Sequence, residues 1–146
     1  MALSYPHRAT FDENEKVLEF EDGLKLTFEA GSFDTTFEAT IDKMEGQDND
    51  ELEAASDAYV FRDFDGIDSD KLPVKPLRPP LAVVPLRVQG TVATALTLGT
   101  NPGEEHPNPV NWTPRPDIPP GLDDGGLKAT VELETLETFE IFQETN

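Results

Sequence analysis

Between residues 16 and 41, apolar side chains recur at every second position, first on one parity and then on the other. Leu18, Phe20, Leu24, Leu26 and Phe28 are even-numbered; Phe33, Thr35, Phe37, Ala39 and Ile41 are odd-numbered. A period of two places successive side chains on opposite faces of an extended chain, so the pattern demands strands with one buried face. Parity also decides the first turn. A two-residue loop at Asp22-Gly23 would set Leu18 and Phe20 opposite Thr27 and Lys25, on the wrong face. A three-residue loop, Glu21-Asp22-Gly23, pairs Phe20 with Leu24 and Leu18 with Leu26, and puts Gly23 where a left-handed residue is needed. The next connection, Glu29 to Ser32, is even in length and sets Phe28 opposite Phe33. The expectation is a three-stranded meander with a greasy inner face, which a second layer must cover.

The remaining chain reads as further strands joined by irregular segments. Asp48 to Ser56 predicts one short helix, capped by Asp48 or Asn49, with Leu52, Ala55 and Tyr59 as a narrow apolar stripe. Tyr59 to Phe64 predicts a strand and Asp63 to Asp70 a loop. Residues 72–80 hold four prolines and are extended, since each proline pushes its predecessor out of helical space. In 81–98 one parity is mainly apolar from Leu86 through Leu98, with a bend at Gly90 and with Pro85 marking an edge or a strand start. Residues 99–126 hold seven prolines, five glycines and the only tryptophan, Trp112. Leu127 to Phe142 predicts one long strand whose parity slips near Thr135. The fold class is mainly β: an antiparallel sandwich or barrel-like single domain over 1–146, with one short α-helix. It carries an N-terminal arm (1–12), an extended Pro-rich connector (71–85) and a long Pro/Gly-rich loop (99–126).

Charge narrows the partners. The formal net charge is −19, yet no acid lies between Lys71 and Gly103. Residues 1–70 carry −15, 71–103 carry +4 and 104–146 carry −8. A field this negative repels phosphate backbones and anionic lipid, so nucleic acid and membrane surfaces are poor partners. No apolar run suits a signal peptide or a membrane helix, and the expectation is a soluble chain. The basic strip Lys71, Lys75, Arg78 and Arg87 suits an acidic protein surface, including that of a second copy. Trp112 either anchors a recognition loop or pins its own loop to the domain.

Motifs for chemistry are missing. Without cysteine there is no disulfide, thiolate or sulfur-ligated zinc. Asp63, Asp65, Asp68 and Asp70 resemble a calcium loop in composition, but Gly66 falls at the fourth place instead of the sixth. His7 and His106 have no second histidine nearby. No Gly-x-Ser-x-Gly elbow and no phosphate-binding glycine loop occurs. The expectation is therefore a non-enzyme with no catalytic or metal residues and no cofactor. Its Pro-rich segments look too poor in core residues to order alone, which favours completion by neighbours. That points to a structural subunit of a virion, decorating or cementing a capsid, or belonging to a tail. Its partners would be copies of itself, with trimers favoured, and a major capsid or other shell protein. Two alternatives remain: a β-sandwich module binding carbohydrate or protein through Trp112, and an acidic mimic of nucleic acid.

Overall fold

The computed structural model describes residues 2–48, 52–71, 74–87, 96–101, 112–115, 118, 120–123 and 128–144. Within them lie β1 (His7–Phe11), β2 (Lys16–Glu19), β3 (Lys25–Phe28), β4 (Phe37–Met44), β5 (Leu52–Ala54) and β6 (Ala58–Asp65). They are followed by β7 (Leu81–Pro85), β8 (Leu96–Asn101), β9 (Thr113–Pro114), β10 (Gly121–Asp123), β11 (Lys128–Glu132) and β12 (Thr138–Glu144). The strands form two antiparallel sheets. A seven-stranded sheet runs β1-β4-β6-β12-β8-β9, with β5 also on β12, and a five-stranded sheet runs β10-β11-β7-β3-β2. Packed face to face they make a β-sandwich. The core between them holds Phe11, Leu26, Phe28, Phe37, Ile41, Phe61, Ala82, Val84, Val131 and Ile141, each at most 2% exposed.

The first hairpin has the register that parity dictates. Leu18 faces Leu26, the Phe20 amide donates to the Leu24 carbonyl at 2.9 Å, and Gly23 has a φ of 104°. The meander beyond it is not formed. β3 pairs with β2 and β7, whereas β4 pairs with β1 and β6, so residues 29–36 carry the chain from one sheet to the other. Alternation fixes which side chains are buried, but a residue buried beside its neighbour and one buried across from it give the same pattern. The rings therefore meet across the sandwich: Phe11 and Phe28 centroids are 5.1 Å apart, and Phe33, in the crossing, lies 5.9 Å from Phe28 and 5.0 Å from Phe37.

Three further expectations need correction. No α-helix occurs among the described residues, and Leu52–Ala54 is instead a strand on Phe142–Glu144. Asp48 caps a strand, not a helix: its carboxylate accepts the Ala54 amide at 3.0 Å, and the Ala55 amide donates to the Ile141 carbonyl at 2.8 Å. A Cβ on Gly46 would collide with the Ser56 carbonyl, so 45–48 lies flat on this strip. The long final strand is two strands in different sheets. β11 ends at Glu132 and the chain crosses over at 133–137, where Leu133 and Leu136 are each 1% exposed. The parity slip near Thr135 is this change of sheet.

The proline-rich segments also pack on their own domain where they are described. His7–Phe11, expected in an arm, pairs along β4. Leu81–Pro85, expected at the end of a connector, lies between β11 and β3, so Pro85 ends an inner strand and marks neither an edge nor a strand start. Val74 pairs with Leu136, and the expected 99–126 loop contains β9 and β10. Where they are described, these segments find pairing partners within the chain itself. Gly90, His106 and Leu127 lie outside the described residues.

Candidate functional site

The 29–36 crossing, the turn at Gly66–Asp68 and the stretch Val74–Leu77 come together at one end of the sandwich. A short 3-10 turn at Ser69–Lys71 closes the second of these, with the Lys71 amide donating to the Asp68 carbonyl at 3.0 Å. The Leu77 amide donates to the Ser32 carbonyl at 2.8 Å, and the Leu136 amide to the Val74 carbonyl at 2.8 Å, so the third segment is tied to both crossings between the sheets. Between the three segments lies an open cleft of about 460 Å³. Its floor is apolar: Phe33 and Val74 are buried and Ile67 is half-buried. Its rim carries Asp34, Asp68, Lys71 and Lys75, all exposed, together with Leu77 at 67% exposure. Arg78 stands beside it, its guanidinium 3.4 Å from Glu29, both side chains more than 60% exposed.

The Ser32 hydroxyl donates to the Glu29 carbonyl at 2.7 Å and is buried. No histidine lines the cleft, and no group of three His, Asp or Glu side chains suited to a metal exists among the described residues. Asp63, from the Asp-rich stretch, is committed to Arg62 at 2.9 Å and has a φ of 55° at a β-bulge.

Of the residues singled out in sequence, Lys71 and Lys75 share this cleft and Arg78 adjoins it. Arg87 does not. It follows β7 at the opposite end, about 17 Å of strand away, with its amide donating to the Ala55 carbonyl and its guanidinium 3.8 Å from Asp57. There it joins a structural cluster in which Asp22 accepts the hydroxyls of Tyr5 at 3.1 Å and Tyr59 at 3.0 Å. Lys43 lies 3.5 Å from Asp22 and 3.9 Å from Asp57. Burial, reinforced by Asp22, pushes both phenols far above their ordinary range. They stay neutral donors and offer no nucleophile.

Trp112 is not a presented anchor. It is 5% exposed, packs edge-on against Phe142 at 5.2 Å, and covers the outer face of the seven-stranded sheet with Ala58 and Met44. Its indole N–H donates to the Gln47 side chain at 2.9 Å. Beneath it lies Glu140, which sequence reasoning missed. This carboxyl is fully buried; one oxygen accepts the Gln47 amide at 2.8 Å and the other has no hydrogen-bond partner among the described residues. Burial pushes its pKa up to about 8; the Gln47 amide and Arg87 oppose the rise, and Asp48 and Asp57 add to it.

Compared with models of known protein families the sequence matches none, and it matches no curated protein sequence.

Proposed function

We propose that this chain is a non-enzymatic structural subunit of a protein assembly, of the kind that decorates or cements a virion shell, and that it docks through the end cleft. The observation that carries the reading is Leu77: 67% exposed, its amide bonded to the Ser32 carbonyl, and flanked by Lys71, Lys75 and Arg78 in a chain of net charge −19. Burying a leucine side chain is worth about 1.5–3 kcal/mol, and docking recovers what the isolated chain leaves in water. The Arg78–Glu29 pair contributes about 0–1 kcal/mol at this exposure, so Arg78 exchanges it readily for a partner's carboxylate. A partner segment that presents an apolar side chain next to acids fits the apolar floor and the basic rim. The carbohydrate reading loses its anchor, because Trp112 faces its own sheet.

The test fractionates native extracts of the producing cells or particles by size and follows this chain with an antibody. The wild type is expected in a high-mass fraction. Leu77→Glu combined with Lys75→Glu is expected to move it to low mass while the isolated variant keeps its fold. A wild type found only at low mass overturns the proposal, and so does a double variant that still travels with the large particle.

A further inference from the structure

Glu140 lies on β12, an inner strand of the seven-stranded sheet with β6 on one side and β8 on the other. Phe139 and Ile141 beside it belong to the core, so the Glu140 carboxyl faces the outer side of the sheet. Among the described residues two segments cover it there. Trp112 is anchored by β9, which pairs with β8 at Gly99 and Thr100. The other cover, residues 45–48, leaves β4 at Met44 and belongs to no strand. Glu45 and Asp48 are exposed, and Gly46 and Gln47 are half-buried. This segment is seated on the carboxyl: the Gln47 amide donates to one Glu140 oxygen at 2.8 Å. The Gln47 side chain accepts the Trp112 indole at 2.9 Å, and Asp48 accepts the Ala54 amide at 3.0 Å. The second Glu140 oxygen is buried and has no partner among the described residues.

We propose that residues 45–48 form a strap kept shut by the neutral form of Glu140, and that loss of the Glu140 proton releases it. A neutral carboxyl still accepts the Gln47 amide through its carbonyl oxygen. A carboxylate in the same place leaves one charged oxygen with neither donor nor water, which is costly. Lifting the strap is the shortest way to bring water to it, because the strands beside it and the segment bearing Trp112 are held by ladder pairing. The surrounding charges do not remove the conflict. Asp48 on the strap and Asp57 in the turn between β5 and β6 repel a further negative charge, and Arg87 beyond β7 attracts it. Arg87 is itself shared with Asp57 at 3.8 Å, and Lys43 of β4 lies 3.9 Å from Asp57. Gly99, opposite Glu140 on β8, and Ala58 and Trp112 bear no ionisable side chain. Burial pushes the carboxyl from its ordinary 4.5 up to about 8, and the open strap returns it to the ordinary range, so opening releases a proton. Opening is therefore level with pH below the ordinary value, gains up to about tenfold per pH unit between the two values, and levels off above the raised one. The strap is shut in acid and loosened in alkali. None of these residues lines the end cleft, and the proposal stands separately from docking there.

The experiment is native-state hydrogen exchange by NMR on the purified full chain, between about pH 5.5 and about pH 8.5. The Gln47 amide reads the strap once its intrinsic exchange rate is divided out. Its opening constant is expected to rise roughly a hundredfold across the series. Low concentrations of urea are expected to leave it unchanged, while the Leu26 amide in the core responds to urea through global unfolding. Glu140→Gln is expected to abolish the rise. Gly46→Ala, whose Cβ meets the Ser56 carbonyl, is expected to raise opening about tenfold or more at every pH and to keep the slope. A Gln47 opening constant that stays level with pH overturns the proposal, and so does one that follows urea as Leu26 does. A slope that survives Glu140→Gln, or a Gly46→Ala variant that opens no more than the wild type, overturns it as well.

Discussion

Glu140→Gln isolates a buried carboxyl whose ionisation the fold opposes. The carboxyl is fully buried on β12, with one oxygen unpartnered among the described residues and the other held by the Gln47 amide. Its pKa rises from the ordinary 4.5 to about 8 on folding, chiefly through burial. The folded state therefore holds this proton where the unfolded chain has released it. Stability is complete below the unfolded value, falls as pH climbs between the two, and is level above the folded value. At 1.36 kcal/mol per unit the loss reaches at most about 5 kcal/mol, and any water entering beside the carboxylate lowers it. Glutamine keeps the acceptor for the Gln47 amide and cannot ionise. Urea unfolding, followed through the single tryptophan that sits above this site, measures both proteins. They are expected to match near about pH 4.5, with the variant gaining several kcal/mol on the wild type by about pH 8.5. A stability difference that does not change with pH, or a variant that falls behind at high pH, would refute the assignment of a buried, unpaired carboxyl.

Phe37→Ala and Phe28→Ala each remove a ring that is 1% exposed between the sheets and should cost about 3–5 kcal/mol in denaturant unfolding; a cost under about 1 kcal/mol would contradict the packing. Gly23→Ala forces a side chain onto a φ of 104° and should destabilise by about 1–3 kcal/mol in the same assay. Leu77→Glu, at a site 67% exposed, should leave unfolding within about 0.5 kcal/mol of wild type while removing the chain from its high-mass fraction.

What the sequence revealed follows from what periodicity encodes. The turn at Gly23 was legible because only one loop length unites Leu18, Phe20, Leu24 and Leu26 on a face. Tyr59 to Phe64 was legible as a strand for its aromatic and β-branched content. Which sheet each strand joins was not, because Phe28 and Phe33 satisfy the same parity whether side by side or face to face. Asp48 to Ser56 carries local helix signals, and pairing of 52–54 with β12 outweighs them, since a helix this short has little stability of its own. Glu140 was one acid among thirty. The available signal was Phe142, an apolar residue on the same parity as Glu140 and opposite to Phe139 and Ile141, which says that β12 is covered on both faces. Lys71 and Lys75 were legible as a pair, but the cleft beside them needs Ser32–Thr35 and Gly66–Asp68, which no sequence pattern links to them.

Amide hydrogen exchange on the chain within its high-mass assembly, compared with the isolated chain, reads the docking surface directly. The account predicts slower exchange at Asp34, Thr35, Lys75 and Arg78 and no change at Trp112–Arg115. Unchanged exchange around the cleft, or new protection at Trp112–Arg115, would contradict it.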